Sequence, residues 1–206
     1  EHMFVMGVHG KPGRITYFAG AFPSACGKTS TAMIPGQSIV GDDIAYLKKV
    51  DGKIMSVNVE QRLFAIIRDV SEKDDPEIWK ALTTPGEVIF SNVLINDGKP
   101  YWLGMGQETP KEGENYSGDW KEGKKDANGK EIVLAHKNAR YTIRISDLEN
   151  ADELADAPEG VETKGLVFGG RDSDTTVPVV EALDSPHGVM IAATIESETT
   201  AATLGA

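Results

Sequence analysis

The sequence predicts an α/β fold, a single domain over residues 1–206 built on a mixed β-sheet with a phosphate-binding loop. Three observations predict it. Strand-like apolar runs outnumber helical patterns, which favours a mixed sheet over a doubly wound parallel one. One of those runs feeds a loop of small residues that ends Gly27-Lys28-Thr29 at a helix start. The 40% apolar content, with 22 glycines, is that of a chain able to bury a core.

Taken in order, Met3 to Val8 and Ile15 to Ala21 are apolar runs separated by Gly10 and Pro12-Gly13, and both read as buried strands. The loop Phe22-Pro23-Ser24-Ala25-Cys26-Gly27-Lys28-Thr29-Ser30 follows and runs into a helix. Ser38-Ile39-Val40 forms a strand ending on Gly41-Asp42-Asp43, and Ile44 to Lys49 is the next. Asp51-Gly52 predicts a tight hairpin to Ile54–Val59, because both residues tolerate positive φ. A second β-rich block runs from Glu87-Val88-Ile89-Phe90 through Leu94-Ile95, a turn at Asn96-Asp97-Gly98, and Tyr101-Trp102-Leu103. The polar stretch Gly106 to Lys130 predicts an exposed loop or insertion. Ser146-Asp147-Leu148-Glu149 has capping-box spacing and predicts a short acidic helix ending before Pro158-Glu159-Gly160. Gly165 to Phe168 then predicts a strand leading into Gly169-Gly170-Arg171, and His187 to Ala193 another.

Composition excludes several classes of function. With 32 acidic against 21 basic side chains the formal net charge is −11, so the chain repels polyanions and non-specific nucleic-acid binding is excluded. Any anion must be held by a local pocket. The one cysteine, Cys26, forms neither an internal disulfide nor a zinc cluster, which suits a reducing cytoplasm. No apolar run approaches the ~20 residues of a membrane span. Neither end reads as a natural terminus, so a piece of a longer protein is expected.

Chemistry concentrates at two places. A strand, a small-residue loop and a helix start allow backbone N–H groups to face a polyphosphate. Lys28 adds a mobile charge and Thr29 a hydroxyl for a phosphate-bound cation. The first glycine of the general phosphate-loop pattern is replaced by Phe22, which leaves open a chance Gly-Lys-Thr. Asp42-Asp43 at a strand end places carboxylates where metal ions beside phosphates need them, although paired acids after glycine also cap turns.

Together, Phe22 to Thr29 and Gly41-Asp42-Asp43-Ile44-Ala45 resemble the nucleotide-loop and metal motifs of GTP-dependent phosphoenolpyruvate carboxykinases. The cysteine in the loop distinguishes that group from the ATP-dependent enzymes. Glu1-His2-Met3, Asn58 to Glu60, Asn138-Ala139-Arg140-Tyr141, Gly165 to Arg171 and His187-Gly188-Val189 through Ser197 to Ala202 follow the family's order, while Arg68 to Lys137 matches loosely. The resemblance implies a carboxykinase-like nucleotide-binding domain that interconverts oxaloacetate and GTP with phosphoenolpyruvate, GDP and carbon dioxide, as in gluconeogenesis. It further implies Mn2+ at the substrate, held by His2, Asp43 and a lysine upstream of Glu1, and Mg2+ or Mn2+ travelling with GTP. Read alone, His2 is a packing histidine.

By the same resemblance, Lys28 contacts the β- and γ-phosphates, Thr29 binds the nucleotide's metal, Asp42 supports the metal sites, and Ser24 lines the substrate side of the loop. Ala25, Cys26, Gly27 and Ser30 complete that loop. Asn138 and Arg140 hold substrate carboxylate and phosphoryl groups, and Arg171 contacts the transferring phosphoryl group. Cys26 is expected to be a reactive thiol with no chemical step of its own. Ser197 to Ala202 match the start of a mobile lid. The guanine-clamping aromatics are expected beyond Ala206. Asp172 and Glu196 stand where the family has arginine, and Arg62 and Ala65 where it has glycine. The expected setting is a cytoplasmic monomer acting on small molecules. The alternatives are a pyrophosphate- or ATP-using relative, and a segment that binds phosphate and metal without catalysis.

Overall fold

The computed structural model describes residues 1–23, 26–172, 174 and 177–198. In chain order, the first part holds β1 (Phe4–His9), β2 (Ile15–Ala21), α1 (Lys28–Ala32), β3 (Ser38–Gly41), β4 (Ala45–Val50) and β5 (Lys53–Asn58). Next come β6 (Arg62–Ile66), α2 (Pro76–Thr83), β7 (Val88–Ser91), β8 (Leu94–Asn96), β9 (Lys99–Tyr101), β10 (Glu112–Asn115), β11 (Gly118–Lys121) and β12 (Arg140–Arg144). A 3₁₀ turn at Ile145–Asp147, β13 (Val161–Phe168) and α3 (Ser185–Thr194) follow. These elements group into two compact units: Glu1–Glu60 with Asn150–Ala206, and Gln61–Glu149.

The first unit is one six-stranded sheet in the order β3-β1-β2-β13-β5-β4. It is mixed, because β13 runs parallel to β2 and antiparallel to β5, while β1 is antiparallel to both β2 and β3. Its core packs Met3, Val5 and Ala19 from the two runs read as buried strands, with Val40, Ala45 and Val161. Asp51 (φ 48°) and Gly52 (φ 80°) make the hairpin turn between β4 and β5, with Val50 opposite Lys53.

A buried polar cluster fixes the outer strand β3. Ile39 donates its amide to the Asn150 carbonyl (2.9 Å), and its own carbonyl accepts from Asp152 (2.8 Å). The Asp152 carboxylate accepts from the Ser38 hydroxyl (2.5 Å) and from the Tyr17 phenol (3.2 Å). Burial and the neighbouring Asp152 push the Tyr17 phenol from 10.0 up to about 12. The folded chain thus keeps a proton that the unfolded chain releases near pH 10, so this stabilisation is complete below pH 10 and is lost as pH rises through about 12. Urea unfolding at stepped alkaline pH should show a shallower loss of stability for Tyr17→Phe than for the parent across that window.

The second unit carries a three-stranded sheet, β6-β12-β7, and a four-stranded sheet, β11-β10-β8-β9. In the three-stranded sheet, Leu63, Tyr141 and Ile143 face the core while Phe64 and Ile89 face out. Helix α2 opens with Pro76 in its first turn and buries Ile78, Trp79 and Leu82. Trp102 lies edge-on to Trp79 and stacked on Phe90, and its indole N–H donates to the Val70 carbonyl at 2.9 Å.

Three sequence expectations are corrected. His187 to Ala193 is helix α3, because the Asp184 carboxylate accepts the His187 amide as an N-cap and Pro186 sits in the first turn. A short apolar run does not by itself distinguish strand from helix. The capping-box spacing at Ser146 yields only the 3₁₀ turn at Ile145–Asp147, with no side-chain cap bond. Within the polar stretch Gly106 to Lys130, β10 and β11 pair as a hairpin, anchored by buried Trp120, whose indole donates to the Ile132 carbonyl. No helix among the described residues is long and apolar enough to cross a membrane.

Candidate active site

In the first unit, three adjoining segments bring most of the predicted residues together. The Ala45 amide donates to the Glu1 carbonyl at 2.9 Å, and buried Met3 and Phe4 seat the start of β1, so His2 is held beside the end of β3. That strand end requires Gly41: a Cβ there would lie 2.6 Å from the Asn58 side chain. Glu60, a residue with no assigned role in the sequence reading, fixes the turn that follows by accepting the Ile44 amide at 3.0 Å.

Gly27, in the left-handed region at φ 91°, turns the chain into α1. The helix has only five residues, so the positive charge offered to an anion comes from Lys28 rather than from a long helix dipole. Lys28 points back to the strand end. Its Nζ lies 2.7 Å from His2 Nε2 and pairs with Asp43, whose Oδ1 is itself 2.6 Å from His2 Nε2. Behind this triangle, Asp42 is 4% exposed. Its Oδ2 accepts from the Thr29 hydroxyl at 3.2 Å, while its Oδ1 is buried without a hydrogen-bond partner among the described residues.

The charges follow from these positions. Burial lowers the Lys28 ammonium from its ordinary value, opposed by Asp42 and Glu60. Burial and then Lys28 lower the His2 imidazole, opposed by Glu60 and Asp42, which favours the neutral ring that can bind a cation. Burial raises the Asp42 carboxyl, opposed by Thr29 and Lys28.

A neutral imidazole and a carboxylate converge on one point, where the Lys28 ammonium stands in for a cation. With the orphaned Asp42 Oδ1 nearby, this donor set fits a divalent metal ion that takes further ligands from elsewhere. Among the described residues no three His, Cys, Asp or Glu side chains group to hold a metal by themselves.

A second contact set lies in the same unit. The Gly169 amide donates to the Ala21 carbonyl, and Gly169-Gly170 lead from β13 to Arg171. The Arg171 amide donates to Ser197 Oγ at 3.0 Å and the Glu198 amide to the Arg171 carbonyl at 2.9 Å, while Cys26 Sγ lies 3.5 Å from the same Ser197 hydroxyl. Ser197 thereby links Cys26 to Arg171, a link invisible in the linear motifs. Ser30 is exposed on α1. Ser24, Ala25 and the Thr199–Ala202 part of the expected lid lie outside the described residues. Asn138 and Arg140 belong to the second unit. There the Asn138 amide donates to His136 Nδ1 at 3.1 Å, and the Arg140 guanidinium lies 5.0 Å from the centre of the Phe64 ring.

Residues 1–206 match the family described as the phosphoenolpyruvate carboxykinase C-terminal P-loop domain. The chain belongs to the GTP-dependent phosphoenolpyruvate carboxykinase family. It is 61% identical over 207 residues to the phosphoenolpyruvate carboxykinase (GTP) of Pyrococcus horikoshii, covering 100% of this chain and 33% of that protein. Identity to the enzyme of the same name is 59% in Pyrococcus abyssi, over 100% of this chain and 34% of that protein. In Pyrococcus furiosus it is 58%, over 100% and 33%. The chain spans about a third of the length of the curated relatives it matches.

Three of the departures from the carboxykinase pattern have structural partners, among them Asp172, whose carboxylate accepts the Asp174 amide at 3.2 Å. Arg62 is tied to Glu87, its Nη2 donating to Oε1 at 2.6 Å. The backbone of Glu196 packs against Gly170, where a Cβ would meet the Glu196 carbonyl at 2.8 Å. Nothing in the structure explains Ala65.

Proposed function

We propose that this chain is the catalytic segment of a cytoplasmic enzyme that converts oxaloacetate and GTP to phosphoenolpyruvate, GDP and carbon dioxide, and that its two units act as one nucleotide- and metal-binding domain. The observation that carries the reading is the Lys28–His2–Asp43 triangle over buried Asp42, within a chain of this family. His2 and Asp43 would hold the substrate's Mn2+, and the chemistry such an ion supplies is charge stabilisation of the enolate left by decarboxylation. Lys28, released from that pair, neutralises the β- and γ-phosphates as the enolate oxygen attacks the γ-phosphorus and GDP leaves. Thr29, whose hydroxyl now donates to Asp42, would hold the nucleotide's own divalent ion. Asp42 would support both metal sites, its buried Oδ1 having no hydrogen-bond partner among the described residues. Gly27 and its loop neighbours Ser24, Ala25, Cys26 and Ser30 cradle the phosphates. Arg140 and Asn138 orient substrate, and Arg171 meets the phosphoryl group in transfer, a role for which a planar guanidinium is suited.

The test is phosphoenolpyruvate formation from oxaloacetate by the full-length protein with manganese, comparing GTP, ITP, ATP and pyrophosphate. GTP is expected to serve best. No product with any donor overturns the enzyme assignment, and faster turnover with ATP overturns only the choice of base.

Cys26 has no chemical step in this scheme. Alkylating it should abolish nucleotide binding by obstruction, whereas Cys26→Ser should retain turnover within about tenfold of the parent, since no nucleophile is removed. A Cys26→Ser protein that folds normally but is inactive would refute that view.

A further inference from the structure

The outward face of the three-stranded sheet in the second unit carries three arginines and one glutamate, and they are not treated alike. Pairing places Arg62 beside Arg144, Phe64 and Ile89 on either side of Thr142, and Ile66 and Ser91 on either side of Arg140. Glu87, just before β7, takes both arginines of the first row: Arg62 donates to Oε1 at 2.6 Å and Arg144 pairs with Oε2 at 2.5 Å. Their charges are thereby shared with one carboxylate, whose proton affinity is lowered by the Arg62 bond and by both guanidiniums.

Arg140 is different. No carboxylate among the described residues pairs with it; its guanidinium lies over the Phe64 ring, 5.0 Å from the centroid. Phe64 is 60% exposed, although the alternate residues Leu63 and Tyr141 on the same strands are fully buried, so the ring is not there to fill the core. An aromatic face attracts a guanidinium and limits its orientations without neutralising it. A carboxylate in that position would compete with an anionic ligand for the same N–H groups.

We propose that Phe64 is a positioning residue: it holds Arg140 pre-oriented and uncompensated, so that among the three arginines of this face Arg140 is the one presented to the carboxylate of a small dicarboxylate substrate. This rests on the carboxykinase reading of Arg140. The direct contact with substrate would be made by Arg140, and Phe64 would act only through it. Glu87 sharpens the selection by occupying the other two arginines.

The experiment uses the full-length protein with Phe64→Leu and Phe64→Trp. Loss of the aromatic face should raise KM for oxaloacetate about 3- to 10-fold, leave KM for GTP unchanged, and be reversed in the Trp variant. A second readout is independent of turnover. In protein labelled with 15N-arginine, the ring current of Phe64 should displace the Arg140 Nε–H resonance, and the displacement should vanish in Phe64→Leu and return in Phe64→Trp. An active parent with an unchanged Leu variant, or KM rising equally for both substrates, overturns the assignment. So does an Arg140 resonance indifferent to Phe64. A parent protein that forms no phosphoenolpyruvate refutes the carboxykinase reading instead, and the resonance then decides alone whether Phe64 positions Arg140.

Discussion

Replacing Lys28 by methionine in the full-length protein is expected to lower kcat for phosphoenolpyruvate formation by about 10³-fold, the size of loss seen when one preorganised charge on a transition state is removed. Lys28 is suited to produce it: it is the first residue of α1, its side chain is 12% exposed, and its ammonium turns back onto His2 and Asp43 at the strand end. Methionine keeps the length of the side chain and removes the charge. Manganese affinity should move the other way or stay constant, because Lys28 now competes for His2 Nε2 and Asp43 Oδ1. Measuring both quantities on one preparation separates a phosphate role from a metal role. A loss of kcat below tenfold would remove Lys28 from the chemistry, and a parallel collapse of manganese binding would mean that it builds the metal site instead.

Trp102→Ala should cost about 3–5 kcal/mol of stability, the range for deleting a large buried aromatic side chain. The side chain is 1% exposed, and three things are lost together: its packing on Trp79, its packing on Phe90, and the hydrogen bond to Val70 that leaves a buried carbonyl unpaired. Denaturant unfolding followed by tryptophan fluorescence would measure it. Trp102→Phe, which keeps much of the packing but not the N–H, should recover at least half of the loss. If the Ala variant loses less than 1 kcal/mol, the second unit does not depend on this cluster.

Much of the first unit was legible because β1 and β3 are buried along most of their length and its turns carry their own signals. Asp51-Gly52 announces a hairpin through tolerance of positive φ, and Asp42-Asp43 sits at a strand end because Gly41 leaves no room for any other residue beside Asn58. The second unit was less legible. Strands β6 and β12 bury only alternate residues, and α2 is short, so no long periodic pattern marks them. Helix α3 was misread because its run of apolar residues has no polar face and none of its side chains is buried.

The candidate site shows the same division. His2, Lys28, Thr29, Asp42 and Asp43 cluster through motifs that lie close in sequence. Glu60 acts through a backbone amide, Ser197 through contacts with residues 171 and 26, and Phe64 through a cross-strand ring, and such roles leave no mark in residue spacing.

The place of β13 has a consequence for synthesis. This strand lies between β2 and β5, yet the ribosome makes it about a hundred residues after β5 has emerged. At typical elongation rates, on the order of 5–20 s pass during which β2 and β5 each carry an unpaired edge. The insert from Gln61 to Glu149 can complete its own sheets in that interval. The six-stranded sheet therefore closes only after the insert has been made, when β13 joins β2 to β5. A holdase that shields open strand edges would find its substrate here in that interval, before residue 168 leaves the exit tunnel.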